Sequence, residues 1–233
     1  MDNTLDLSHF PPDPHIDHYG TVAIQELRKI HTKPSRSGTL TQGCMVAKAA
    51  WVAGRGTLTL DNPKDPYDPT MGAITHHNGA PELSHIVSEK DERILNADEL
   101  SSGRATKEHV SIENFMNVVS MANTAHVERS AQGNWSVKGD PTEIALQVFA
   151  SRFNWNRKRL VDDTNEWNLV TEYPFDSDVK RMSVICSRKT ETGKEESWVF
   201  SKGAVERLLS LCTHIQGSDG DSANWGQNGM EPS

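Results

Sequence analysis

Several things are scarce in this 233-residue chain, and each scarcity excludes a class of protein. Cysteine is one: three residues (Cys44, Cys186, Cys212), far apart and in apolar company. They read as buried thiols in a reducing compartment, not as a disulfide framework. No run approaches the roughly 18 apolar residues of a membrane-spanning helix, so no segment is expected to cross a bilayer. Positive charge is in deficit, with 24 Lys and Arg against 32 Asp and Glu and a net charge of −8. That excludes a nucleic-acid partner, because phosphate binding needs a basic footprint. The first residues are acidic and polar and lack an apolar signal region. The sequon Asn134-Trp135-Ser136 is therefore read as accidental. Hydrophobic residues make up 35% of the chain and mean hydropathy is −0.61. Both are low for a chain packed throughout, so unpacked ends are expected.

What is present centres on Tyr173 to Glu206. Val179, Arg181 and Ser183 alternate with Lys180, Met182, Val184 and Cys186; later Glu196, Trp198 and Phe200 alternate with Ser197, Val199 and Ser201. Period two predicts half-buried strands. The polar run Ser187 to Glu195, with Gly193, predicts a hairpin between them. Phe175 is expected at the start of the first strand. Lys202-Gly203 falls where the second strand meets a helix over Val205 to Cys212. A cation beside bare backbone there can approach an anion, or can simply make a turn.

Upstream, the first 20 residues are rich in Pro, Asp and His. His9, His15 and His18 near Asp13 and Asp17 lack a framing fold for a metal, and the stretch is read as a disordered tail. Val22 to Ile30 has helical spacing. Met45 to Ala53 and Gly56 to Leu60 read as strands, and the three prolines of Asp61 to Thr70 require a loop. Gly79 to Thr106 is charged and aperiodic, with room for a short helix near Glu89 to Leu95. His109 to Val127 carries the longest helical pattern, with one apolar face through Ile112, Phe115, Met116, Val119, Met121, Ala122 and Ala125. Gly139 breaks a strand that starts at Trp135. Asp140, Pro141 and Glu143 then suit the cap, first and third positions of a helix reaching Phe153, with a capping box between Asp140 and Glu143. A carboxylate there either caps the helix or receives a ligand's amino group. Arg157 to Asp163 fits a short helix, and Trp167 to Tyr173 a strand pairing with the one after Phe175. Gln216 to Ser233 is a polar tail.

Four blocks then stand in order: Ser37-Gly38-Thr39-Leu40-Thr41-Gln42-Gly43; Lys138-Gly139-Asp140-Pro141-Thr142-Glu143; Phe175 with Lys180-Arg181-Met182-Ser183; and Lys202-Gly203-Ala204. Together they resemble the nucleotide-binding domain of P-type cation-transporting ATPases over about residues 37 to 215. The Asp65-Pro66-Tyr67-Asp68-Pro69-Thr70 loop and the Ile112 to Ala125 helix look most like the fungal sodium- or potassium-extruding subgroup, with calcium pumps as near neighbours. The resemblance implies an α+β domain: an antiparallel sheet of about six strands flanked by helices, with disordered termini. Residues 1–36 would be a tail and a degenerate remnant of the phosphorylation-motif region, 37–215 the nucleotide-binding domain, and 216–233 a tail. It also implies a site for ATP, as Mg-ATP in the family. Phe175 would stack on adenine. Lys180 would lie towards the phosphates and Lys202 deeper by the base. Glu143 would meet the adenine amino group, Asp140 and Thr142 would shape that wall, and Gly203 would let the backbone close on the ring. The partners implied are nucleotide and the pump's own phosphorylation and actuator domains, on the cytoplasmic side of a plasma membrane that this chain does not itself contact.

Departures limit the expected activity. The family places Asp-Lys-Thr before Gly38, where this chain has Ser35-Arg36-Ser37. A phosphoryl acceptor needs a carboxylate able to form an acyl phosphate, and Ser35 cannot form one. Membrane segments and the family's magnesium-binding loop have no counterpart here. The expectation is thus an ATP-binding domain without transport or hydrolysis of its own. A scaffold that no longer binds nucleotide is the alternative from another class.

Overall fold

The computed structural model describes residues 16–22, 26–30, 44–52, 56–61, 63–77, 92–94, 107–190, 192–212, 214–216 and 222–224. In chain order the strands are β1 (Ile16–Val22), β2 (Glu26–Ile30), β3 (Cys44–Val52), β4 (Gly56–Leu60), β5 (Ile74–His77), β6 (Glu92–Ile94), β7 (His126–Arg129), β8 (Trp135–Lys138), β9 (Asn168–Asp176), β10 (Arg181–Lys189) and β11 (Glu195–Gly203). Two short strands, β12 (His214–Gln216) and β13 (Ser222–Asn224), pair with each other. The helices are α1 (Lys107–Met121), α2 (Pro141–Ser151) and the single turn α3 (Val205–Leu208), with a π-helical turn at Arg159–Asp163.

The class is α+β. The strands form a five-stranded antiparallel sheet, β2-β3-β4-β5-β6, a four-stranded one, β1-β11-β10-β9, and the two-stranded pairs β7-β8 and β12-β13. In the second sheet β1 runs parallel to β11 while the other ladders are antiparallel.

Helix α1 lies between the two sheets. Ile112, Phe115, Met116 and Val119 join the cluster of Val46, Ala50, Leu58 and Ile74 from the five-stranded sheet. Val118, Met121 and Ala122 join Met182, Val184, Cys186 and Phe200 from the other. The expectation of one buried face is therefore corrected: Asn117, Val118 and Ser120, outside the expected set, are buried as well. From Phe115 to Met121 every residue is buried, so this half of the helix is enclosed on all sides by the core. Its polar residues are satisfied there, as buried polar groups must be. Asn117 Oδ1 accepts from Trp155 Nε1 at 2.9 Å, and the Ser120 carbonyl accepts from Gln147 Nε2 at 2.9 Å.

Four further expectations are corrected. The helical pattern stops at Met121 instead of reaching Val127. Asn123 Nδ2 donates to the Val119 carbonyl at 3.2 Å, and its Oδ1 accepts from the Ala125 amide at 2.9 Å, turning the chain into β7. Such local side-chain bonds compete with helix continuation. Val22 to Ile30 is no helix: Val22 closes β1, and Glu26–Ile30 pairs with β3. Nine residues hold a helix poorly alone, and a sheet edge offers ladder bonds instead. Within Glu89 to Leu95 the described residues form strand β6, not a helix. Finally β10 is not half-buried, since Met182 to Ser187 are all buried. It lies between β9 and β11, and its serines fit the interior because Ser183 and Ser201 hydroxyls pair at 2.7 Å.

Other elements fall where the sequence puts them: β3, β4, the 63–73 loop, the β10–β11 hairpin around Gly193, and the helical turn after Arg157. Helix α2 ends at Ser151, short of Phe153, which stays buried edge-on to Phe149 at 5.4 Å. Histidines 9 and 15 and the Ser35-Arg36-Ser37 segment lie outside the described residues.

Candidate functional site

The start of α2 is built as its sequence requires. Asp140 accepts from the Thr142 amide at 2.8 Å, Pro141 takes the first position, and Gly139 holds φ of +138°. A Cβ at 139 would lie 2.9 Å from both Cα and Cβ of Ala125, so glycine lets this turn press on the Asn123-Thr124-Ala125 corner. The expected capping box does not close. Glu143 turns away from its own cap, and Lys202 Nζ donates to its Oε1 at 2.8 Å. Oε2 accepts from the Thr124 amide at 2.9 Å and from the Thr124 hydroxyl. The Glu143 carbonyl accepts from Asn123 Nδ2 at 3.0 Å.

Lys202 and Glu143 side chains are each 11% exposed. Burial alone would raise the Glu143 pKa, but the hydrogen bonds from Lys202 and Thr124 outweigh it and hold the carboxyl below its ordinary value. Burial pulls the Lys202 ammonium below its ordinary value, against the pull of Glu143 and Asp140. Thr124 secures the ionised form of Glu143 independently of Lys202. Of the three ammonium donors on Lys202, one meets Glu143 and the others have no partner among the described residues.

The sheet brings the other expected residues to the same end. Arg181 pairs with Gly203 and Met182 with Lys202 across β10–β11. On the other side, Asp176 pairs with Arg181 and Tyr173 with Ser183, so a bulge sets Pro174 and Phe175 against Met182. Phe175 lies two strand spacings from Lys202, roughly 10 Å. It is at the end of β9, not the start of β10, and is 58% exposed. Lys180 lies in the turn before β10, with φ of +51°, and its Nζ is 3.8 Å from Glu206 Oε1 in solvent. Such a pair contributes little.

Gly203 has an internal reason to be glycine. A Cβ there would stand 2.3 Å from the Lys180 carbonyl oxygen and 2.9 Å from Arg181 Cα. The adjacent Ala204 amide donates to that carbonyl at 3.0 Å, tying the Lys180 turn to α3. Thr142 turns its hydroxyl to Met45 Sδ, 3.4 Å away on β3.

Sequence reasoning missed Thr124, Asn123, Arg157 and Glu172. Arg157 Nη2 pairs with Glu172 Oε2 at 2.6 Å, and its Nη1 donates to the Asn123 carbonyl. With Thr124, Arg157 and Glu172 line a cavity of about 320 Å³ that neither Phe175, Lys180 nor Lys202 lines. Its three basic side chains, counting His126, face the acids Glu128, Asp162 and Glu172. The most tightly bonded polar cluster is instead the Glu143–Lys202 pair, with Thr124 and the start of α2 around it.

Residues 111–225 match the family "P-type ATPase, cytoplasmic domain N". A sodium/potassium exporting P-type ATPase of Schizosaccharomyces pombe is 36% identical over 183 residues, covering 78% of this chain and 16% of that protein. Sodium/potassium exporting P-type ATPase 1 of Saccharomyces cerevisiae is 31% identical over 222 residues, covering 79% of this chain and 19% of its own length. Calcium-transporting ATPase 1 of Bacillus cereus is 36% identical over 108 residues, 46% of this chain and 11% of that protein. The chain therefore spans under a fifth of the length of these curated relatives. Among the described residues no helix is long and apolar enough to cross a membrane. With a domain N match, relatives over most of its length and the α+β fold in agreement, the chain belongs to the P-type cation-transporting ATPases.

Proposed function

We propose that this chain binds ATP as the nucleotide-binding domain of a sodium- or potassium-exporting pump. The observation that carries the reading is the buried Glu143–Lys202 pair, with the exposed Phe175 ring two strands away in the same sheet. Lys202 keeps donors without partners among the described residues, and Phe175 offers a face that its own fold does not cover. These fit a purine ring with a polar edge. Phe175 would stack on the base, and Lys202 and Glu143 would meet its edge. Lys180, held outward in its left-handed turn, would reach the phosphates. Gly203 serves the site through the Lys180 turn that it admits. Bound Mg-ATP would supply the phosphoryl group to the rest of a pump. This domain's share is holding and orienting, with the phosphorylation and actuator domains as its partners.

The test is a titration of the chain with ATP followed by amide chemical shifts. Shifts confined to Phe175, Lys180, Lys202 and the start of α2 support the reading. The scaffold reading has its own observation: both Glu143 oxygens already accept bonds within the chain. An unperturbed spectrum at millimolar ATP selects it.

A further inference from the structure

We propose that Thr124 is a positioning residue for this site, fixing the Glu143 carboxylate so that Lys202 is presented to nucleotide. The proposal rests on the nucleotide reading above. Thr124 gives Glu143 Oε2 two bonds, from its amide and its hydroxyl. That leaves Oε1 for Lys202 at 2.8 Å. A carboxylate held at one oxygen by two donors from a single residue cannot swing, and the ammonium it anchors is fixed with it.

The corner that carries Thr124 is itself immobilised from three sides. Asn123 Nδ2 bonds the Val119 and Glu143 carbonyls at 3.2 and 3.0 Å. Arg157 grips the Asn123 carbonyl while pairing with Glu172. Gly139 allows the α2 turn to lie against Ala125. Helix α1, strand β9 and helix α2 thereby converge on one threonine. Two charged groups bear on the Glu143–Lys202 pair besides the pair itself and Thr124's dipoles. Asp140 acts from the cap of α2 and Arg157 from the turn before the π helix, both on Lys202, and both remain in a Thr124 variant.

The experiment replaces the hydroxyl alone. Thr124→Val keeps the amide and the shape, and Thr124→Ser restores the hydroxyl. Two quantities are read on the full chain: the Glu143 side-chain carboxyl titration by carbon NMR without nucleotide, and ATP affinity at neutral pH by calorimetry. Loss of one hydrogen bond to the ionised form moves a carboxyl titration upward by about one pH unit. The expected results are that upward shift in Thr124→Val, a roughly tenfold weaker ATP affinity, the scale of one bond to a charged group, and recovery of both in Thr124→Ser. A merely structural role would lower thermal stability without moving the Glu143 titration. An unmoved titration overturns the proposal. So does a moved titration with unchanged ATP affinity. A wild-type chain that binds no ATP overturns the nucleotide reading and the proposal together, and is told apart from the other failures by the wild-type measurement alone.

Discussion

Phe175 presents an unusual balance for a single residue. Its ring is 58% exposed at the end of β9, so its removal uncovers little core. A base stacked on an aromatic ring contributes about 1–3 kcal/mol. Phe175→Ala should therefore weaken ATP binding roughly 5- to 150-fold, with an unfolding midpoint close to wild type. Calorimetry on both proteins checks this, and equal affinities would remove the ring from the site. Glu143 has the opposite balance, being buried and committed. Glu143→Gln leaves the Lys202 ammonium buried without its counter-charge, which costs about 3–5 kcal/mol when a buried pair is broken. The sign with pH follows from the direction of the shift. Glu143 has a folded pKa below its unfolded one, so its contribution is present above the unfolded value. It is lost as pH falls through the folded value. Urea unfolding should show wild type and Glu143→Gln far apart at pH 7 and converging in acid. A gap constant with pH would mean that the carboxylate's charge is not what stabilises.

At the scale of elements, two glycines decide how close neighbouring segments come. Gly203 matters most, because it sits where β11 passes the Lys180 turn. Gly203→Ala must displace backbone, not a flexible side chain, since the nearest atom would be a carbonyl oxygen at 2.3 Å. Overpacking of this kind destabilises by about 1–3 kcal/mol, and it should also loosen the amides of 180 and 204. Hydrogen exchange at Ala204, whose amide donates to Lys180, reads the second effect directly. The local blocks around these residues were legible in the sequence because each is short-range. A cap, a proline and a glycine define the start of α2, and alternation defines β9 to β11. What was not legible is what crosses between elements. The Thr124–Glu143 bonds span 19 residues and the Glu143–Lys202 pair spans 59. No periodicity signals which acid meets which base at that distance. The capping box looked complete for this reason: the spacing was right, but a stronger donor from β11 took the carboxylate. Serines 183 and 187 misled in a related way: Ser183 reads as part of a half-buried strand and Ser187 as part of the polar connection after it, yet both are buried within β10. Val22 to Ile30 showed helical spacing, but only the fold reveals that a strand edge lies beside it.

The whole molecule turns on α1, which is core to both sheets at once. Met116 packs towards β3 and β4, and Met121 towards β10 and β11, and both are essentially buried. Truncating either to alanine should destabilise by about 2–5 kcal/mol, as buried methionine truncations do. The sharper expectation concerns cooperativity. If the helix joins the sheets into one folding unit, a cavity facing one sheet must lower the stability of the other. The chain has six tryptophans; in a background where the other five are phenylalanine, fluorescence comes from Trp167, which is buried against Phe200 at 5.1 Å and under Arg188 at 4.7 Å and so reports on the four-stranded sheet. Met116→Ala opens its cavity on the opposite side of the helix. Its urea transition should nevertheless shift equally when followed by tryptophan fluorescence and by far-ultraviolet circular dichroism, with one midpoint for both probes. Two separated midpoints, the fluorescence one staying at the wild-type value, would show that the sheets unfold independently and that α1 belongs to only one of them.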